Sequence, residues 1–578
     1  MTTRKSARIA TKISKDAGNS PEAQQNVVPD VTSELEDGPP SAESDWNASD
    51  DMSDDLSNTE YRPAKRRKTA GHLRHNHRIS GKKAIFRPEE TQTSYSLPSR
   101  AHPPSYHHPL LLTSPSARTA LLSWFNTVIT ARNMPWRKTF RPPTALSRAD
   151  LARRAYEVWI SEVMLQQTRV QTVIGYWTRW MARWPSIRDL AAAGEADVLA
   201  AWQGLGYYSR ARRVLEAAKT VCAADPDCVL PGTVKELIKL PGLGRYTAGA
   251  IAAIVFGVPA PMVDGNVLRV LSRQLGVLGD VKGDKRVIEL LWDAAEELVK
   301  AVARDGEGPG LWGQALMELG STICTPSPNC YACPISGTCR AYSEGAAMYK
   351  GEQLVETGKD IEDLCTLCAP FEEAREVDIA EKADNEMPTA PSNSDGKSSR
   401  FFAEKQGIKS PAKARKQDMR SLASVINHAR KFPLKKPKKQ LREEETLVCA
   451  IRRVSDGQYL IHQRPDKGLL AGLWELPSHI LSNESTPEAR KASAKAYVAK
   501  LVGEGQVPPM HAGEIGTIPW VFSHLKLQMH VHLFNVEDNK GSPRLGPRER
   551  WATVSNIDAE SMGTGMKKCW SLVKGVMK

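Results

Sequence analysis

The sequence predicts a multi-domain chain: an all-α domain, then an α/β domain, with a disordered N-terminal tail and a disordered connector. Three observations carry this. Apolar residues return at intervals of three and four over a long central stretch. They alternate or run in short blocks near the C-terminus. Two segments, one before each region, lack apolar periodicity and are rich in Pro, Ser and charge.

Residues 1–109 read as the tail. Residues 30 to 60 hold eleven acids and no Lys or Arg, whereas 62 to 83 hold nine Lys or Arg and no acid, so the two runs nearly cancel. The run "KRRK" at Lys65 to Lys68 matches a generic nuclear address, while the basic, Ser/Thr-rich start "MTTRKSARIATKISK" leaves a mitochondrial pool open. No stretch of about eighteen apolar residues exists to span a membrane, so a soluble, intracellular monomer is expected, with its ten cysteines as thiols or metal ligands.

Residues 110–345 read as helical, from "ARTALLSWFNTVITA" through "AYEVWISEVMLQQTRVQTVIGYWTRWMARW" and "YTAGAIAAIVFG" to "VIELLWDAAEELVKAVA". Residues 346–443 form the connector. Its final stretch, 401 to 442, has thirteen Lys or Arg against Glu404 and Asp418, a surplus of eleven beside a whole-chain excess of +13. That balance suits a polyanionic partner, nucleic acid first, or a solvated linker. Residues 444–578 supply the strands "TLVCAIRRV", "QYLIHQR" and "HLKLQMHVHLFNV" and the helix "SAKAYVAKLV".

Within the helical region, "KLPGLGRYTAGA" reads as a Pro-Gly-Leu-Gly hairpin opening a helix. Gly242 and Gly244, following Leu240, let the backbone come close to a partner, and the first amides of the helix favour an anion. A phosphate-binding Walker loop would need Gly-Lys-Ser/Thr, which is missing here; a turn that merely packs is the alternative. Glu162 interrupts the apolar helix "YEVWISEVMLQQT", where an unpaired carboxylate is costly to bury and tends to hold its proton, as suits a general acid. An arginine partner would make it structural instead. Asp264 in "PMVDGNVLRVL" precedes a helix, where N-capping explains it; two placed carboxylates could also divide the cleavage of a glycosidic bond.

Cys324, Cys330, Cys333 and Cys339 form C-x5-C-x2-C-x5-C, strong evidence for a metal, with zinc as the default. A further pair, Cys365 and Cys368, lies in the connector, whereas Cys222, Cys228, Cys449 and Cys569 have no ligand spacing.

Taken in order, "SEVMLQQT", "GLGYYSRARR", "LPGLGRYTAGA" and "VDGNV" resemble the MutY family of adenine DNA glycosylases, within the helix–hairpin–helix superfamily. The resemblance implies removal of adenine mispaired with 8-oxoguanine or guanine in double-stranded DNA. It implies that Glu162 protonates adenine and later activates water, that Asp264 stabilises the cationic sugar, and that Tyr246 and Asn266 hold them. It places Trp136, Arg137, Leu165 and Glu318 around the adenine, and Gln167 and Tyr207 in the duplex beside the lesion. Bifunctional relatives such as endonuclease III carry a lysine where Tyr246 stands; hydrolysis without strand cleavage is therefore expected, and a non-catalytic lesion-binding scaffold is disfavoured because both carboxylates are present.

The family's loop cysteines hold a [4Fe–4S] cluster, with six residues in the first gap where this chain has five. Animal relatives bind zinc through three connector cysteines and a histidine. Cys365, Cys368 and His107 match three of those ligands, and the third cysteine is missing. Ile361 and Glu362 resemble the relatives' segment that docks a checkpoint clamp. The stretch "LIHQRPDKGLLAGLWELP" resembles a Nudix fold, but the following helix lacks the magnesium-binding glutamates, so a recognition domain is implied. In it, Phe522, Ser523 and His524 match the loop that reads 8-oxoguanine.

Overall fold

In a computed structural model the described residues are 102–350, 364–370, 422–436 and 441–576, the last with short breaks at 466–467, 469, 482–485, 503–507, 523–524 and 538–544. All of them belong to one compact unit, Trp46–Lys578. The longer helices of the first domain are α1 (Pro115–Val128), α2 (Arg148–Met164), α3 (Val170–Arg183), α4 (Ser209–Ala224), α5 (Arg245–Phe256), α6 (Gly265–Leu275), α7 (Lys285–Arg304), α8 (Pro309–Thr322) and α9 (Arg340–Lys350). No described helix is long and apolar enough to cross a membrane.

Local chemistry sets where these helices begin and end. The Ser147 hydroxyl accepts from the Asp150 amide to start α2, and Asp264 accepts from Val267 to start α6. Gly257 and Gly276 end α5 and α6 at φ 68° and 66°, a conformation that a Cβ resists.

The helices bury two cores. One gathers Tyr156, Trp159 and Ile160 of α2, Trp180 of α3 and Ile251 of α5. The other gathers Phe125 of α1, Val270 of α6, Leu291 of α7 and Trp312 of α8. Tyr246 and Met317 pack against both. The chain therefore starts in one lobe, builds the other through α2 to α5, and returns, and the seam between them is where a cleft can form.

The second domain is a seven-stranded mixed sheet: β1 (Arg442–Arg453), β2 (Tyr459–Gln463), β3 (Trp474–Glu475), β4 (Ser478–Ile480), β5 (Met510–Val521), β6 (Leu525–Val536) and β7 (Glu549–Ala552). The path β3-β2-β1-β6-β5 places β1 centrally, parallel to β6 and antiparallel to β2. Thr446 to Ile451 of β1 are buried on both faces, which is why that strand reads as a continuous apolar run. Helix α10 (Pro487–Val502) covers one face through Ala494, Val498 and Val502, and α11 (Thr564–Val576) covers the other through Met566, Trp570 and Val573. Leu473, before β3, is itself part of the first helical core, so the two domains touch.

Three features were not legible as sequence pattern. Residues 102–109, read with the tail, are folded: Tyr106 and His107 are buried, and the Tyr106 hydroxyl donates to Glu344 at 2.6 Å. Polar anchoring, not periodicity, orders them. Residues 422–429, read as connector, form a helix against α9. Cys222 and Cys228, expected as thiols, are joined as a disulfide between α4 and the loop after it.

Candidate active site

The seam between the lobes holds the carboxylate that the sequence singles out. Helix α2 is buried continuously from Ala155 to Met164, so Glu162 enters the interior with its neighbours and is 6% exposed. Its Oε2 accepts from the Tyr246 hydroxyl at 2.6 Å, and the same hydroxyl lies 3.0 Å from Met317 Sδ. Among the described residues no cation forms an ion pair with Glu162. Burial raises its pKa, opposed by the Tyr246 hydrogen bond and the charge of Arg137 and reinforced by Asp264.

Asp264 is both cap and candidate. One oxygen accepts from the Val267 amide and the other from Asn266 Nδ2, each at 2.8 Å. Its pKa is raised by burial against those two bonds. Asn266 Oδ1 in turn accepts from Arg269, whose guanidinium also donates to the carbonyls of Cys324 and Gly320. A continuous hydrogen-bonded chain thus runs from Asp264 to the cysteine loop.

Trp136 and Glu318 are buried at the same seam. Glu318 pairs with Arg137 at 2.8 Å and with Arg132 at 3.3 Å, yet neither carboxylate oxygen receives an aligned hydrogen bond from the protein. Those oxygens can accept from a bound amine. Leu165 closes α2 as its C-cap. Gln167 and Tyr207 hold φ of 57° and 46°, left-handed positions that are costly for side chains of their size. Tyr207 is also 43% exposed. A strained, outward-pointing aromatic such as Tyr207 marks a contact surface more often than core, whereas Gln167 is half-buried and its Nε2 is buried with no hydrogen-bond partner among the described residues.

At the hairpin, Gly242 has φ 76°, and a Cβ there would lie 2.7 Å from Arg213 Cβ. Gly244 caps α5, and a Cβ there would meet nothing within 4 Å. One glycine is required by the turn and the other leaves room in front of the first amides of α5, which have no partner in their own helix. Leu240 is buried and anchors the hairpin.

Two groups could hold metal. Cys324, Cys330, Cys333 and Cys339 line one pocket, and none is oxidised. Burial pushes the thiols of Cys330 and Cys333 up to about 11 and about 12, and that of Cys339 well above its usual value. Three thiols so raised give up their protons together only with a cation to hold the thiolates. The four share that pocket with Arg273, Gln274 and Tyr342.

The second group is compact. His102, His107, Cys365 and Cys368 bring one ligand atom each within 4.8 Å of all the others. His107 Nε2 lies 3.1 Å from His102 Nε2 and 3.3 and 3.5 Å from the two sulfurs, while its Nδ1 is 2.9 Å from the Leu275 carbonyl. Donation to that carbonyl fixes the tautomer and turns the Nε2 lone pair towards the cysteines. The Leu367 and Leu278 amides donate to the sulfurs of Cys365 and Cys368. His102 is the candidate ligand that sequence reasoning missed; its signal was a second histidine five residues before His107, in a segment without periodicity.

Phe522 closes a turn by donating its amide to the Leu525 carbonyl, but Ser523 and His524 lie outside the described residues, as do Ile361, Glu362 and the basic run at 65–68. In the sheet domain the buried residues of α10 are Ala494, Val498 and Val502. The ligand-type side chains that do gather in that domain, His511, His530, His532 and Glu514, sit on β5 and β6 and not on α10.

Residues 160–297 match the HhH-GPD superfamily of base excision DNA repair proteins, and 447–572 match the NUDIX domain. The adenine DNA glycosylase of Homo sapiens is 36% identical over 474 residues, 79% of this chain and 74% of that protein. The Mus musculus enzyme of the same name is 36% identical over 468 residues, 79% of this chain and 77% of its own. A solved thermostable thymine-DNA glycosylase covers 39% of this chain and 95% of its own at 28% identity, with a TM-score of 0.32 that bears only slight likeness. The two matched families, the extent of the similarity and the residues gathered at the seam lead to one assignment: the chain belongs to the adenine DNA glycosylase family and is a DNA glycosylase of base excision repair.

Proposed function

We propose that this glycosylase is monofunctional and removes adenine paired with 8-oxoguanine or guanine in duplex DNA. The observation that carries the reading is Glu162: a buried carboxyl, raised in pKa, whose hydrogen-bond partner is a neutral phenol and not an amine. A lyase needs a nucleophilic amine, and position 246 offers a hydroxyl whose own pKa is raised well above 10 by burial and the nearby carboxylates.

In this reading Glu162, protonated, donates to the adenine ring as the glycosidic bond lengthens, and afterwards accepts a proton from the attacking water. Asp264, held by Val267 and Asn266, faces the sugar as its cationic character grows. Trp136, Arg137, Leu165 and Glu318 enclose the base. Gln167 and Tyr207 enter the stack that the flipped adenine leaves, and the hairpin of Leu240, Gly242 and Gly244 grips a phosphate. The loop of Phe522, Ser523 and His524 reads the oxidised base across the helix.

The four loop cysteines fit a [4Fe–4S] cluster, which would cross-link the segment between α8 and α9 when bound. His102, His107, Cys365 and Cys368 fit a zinc ion. The basic run at 65–68 assigns the enzyme to the nucleus, and Ile361 and Glu362 are the candidate contact for a clamp.

The test is single-turnover base release from duplexes with A opposite 8-oxoguanine, G or T, read with and without alkali, on protein whose iron and zinc have been counted. Adenine release from the first two, with strand breaks only after alkali, is expected. Breaks without alkali would overturn the monofunctional assignment, and equal release from all three duplexes would overturn the specificity.

A further inference from the structure

The connector returns to the helical domain just before it enters β1, and the place it returns to is the four-cysteine pocket. Residues 422–429 form a helix whose Val425, His428 and Ala429 are buried, followed by Phe432, which is 1% exposed. Ala429 and Phe432 share an apolar cluster with Cys339 and Ala341, edged by Cys330, Cys368 and Leu434, and Ala429 lines the cysteine pocket itself. The fit is close enough that a Cβ on Gly345 of α9 would lie 2.9 Å from the Val425 backbone. Glu344, also in α9, accepts from Tyr106 and lies 2.7 Å from His428 Nε2.

One side chain joins this segment to the pocket. Arg273 of α6 is 2% exposed. Its Nε lies 2.9 and 3.1 Å from the carbonyls of Ala429 and Phe432, and its Nη1 donates to the Cys324 and Thr325 carbonyls and lies 3.2 Å from Cys324 Sγ. The same guanidinium therefore holds the connector and a cysteine of the pocket. Beyond it, the Leu434 amide donates to the Gly279 carbonyl and Lys436 pairs with Asp280 at 2.7 Å. Only five residues then separate Lys436 from β1.

We propose that residues 422–436 are the lid of the four-cysteine pocket, and that Arg273 is the positioning residue that makes closing the lid and placing Cys324 a single event. The inference rests on the iron–sulfur reading of that pocket. Loading the pocket docks the chain that leads into the sheet domain, and opening the lid exposes the cysteines. A guanidinium donating to a ligand sulfur also favours the more negative, reduced state of a cluster, so its removal lowers the reduction potential.

The test uses the full chain and three variants. Phe432→Ala removes lid packing without touching a ligand; Lys436→Glu breaks the exposed pair with Asp280 and leaves the core intact, should the first fail to fold; Arg273→Gln, compared with Arg273→Lys, removes the sulfur contact. Iron release to a chelator should be at least about tenfold faster in Phe432→Ala and measurably faster in Lys436→Glu. Trypsin should cut after Arg430 and Lys431 faster in metal-stripped than in loaded wild type. Arg273→Gln should lower the cluster's potential, with partial recovery in Arg273→Lys, whereas Phe432→Ala should not. Unchanged release in both lid variants, or equal cleavage of loaded and stripped protein, would overturn the lid. Wild-type protein without iron would overturn the cofactor reading alone; alkylation of Cys324, Cys330, Cys333 and Cys339 then decides the lid, faster in the variants if it stands and equal if it does not.

Discussion

Glu157 and Glu162 sit five residues apart on α2, both buried, and the protein treats them oppositely. Glu157 lies towards the surface end of the helix, where Lys138 reaches one oxygen at 2.6 Å and Arg154 approaches the other at 3.7 Å. Glu162 lies at the seam, where a phenol is its hydrogen-bond partner. An acidic side chain in an apolar helix is therefore not informative alone. For Glu157 the ion pairs supply a structural role, and for Glu162 their lack among the described residues leaves a carboxyl that keeps its proton to higher pH.

The sharpest way to break the contrast is Glu162→Gln. It keeps the volume and cannot deliver a proton, so base release should fall by about 10²–10⁴-fold with lesion binding retained. Its stability should move the other way. A folded-state pKa raised above the unfolded value contributes stability that is full below the unfolded pKa and lost as pH rises through the folded one. At neutral pH the native carboxyl is therefore a burden, and the variant's thermal midpoint should equal or exceed that of wild type. A wild-type rate would remove Glu162 from the chemistry.

Tyr246→Phe probes the same carboxyl more gently. The phenol's hydrogen bond lowers the pKa of Glu162, so its loss should raise that pKa further. The high-pH limb of the single-turnover profile, where the acid loses its proton, should shift to higher pH, with a change in rate of about tenfold or less. A shift to lower pH would mean that the hydroxyl does not act through the carboxylate. Glu157→Gln should have the smallest effect on rate, within about twofold. Its cost should appear as lost stability of about 1–2 kcal/mol in denaturant unfolding, modest because Lys138 is half exposed. A large loss of rate with unchanged stability would erase the distinction between the two glutamates.

How much of this was legible in the sequence depends on what kind of signal each residue gives. Glu162, the hairpin and the loop cysteines were legible because each is local: a charge in an apolar period, glycines at a turn, four thiols within sixteen residues. The missing glutamates of α10 were legible for the same reason. His102 was not, because it lies more than 250 residues from Cys365 in a segment whose order comes from Tyr106 and Glu344. The helix over 422–429 was hidden by its basic surroundings, and the Cys222–Cys228 pair carries no spacing that distinguishes it from two thiols.

By itself, the sequence determined the division into helical and sheet domains, the family and the identity of the acidic groups, since periodicity, turn chemistry and motif order are properties of neighbouring residues. Only the tertiary structure decided which glutamate has a cation, which histidine joins which cysteine, and that the end of the connector covers the cysteine pocket. Those outcomes depend on distances between residues far apart in the chain, and such distances exist only after two lobes, a loop and a returning helix have packed together.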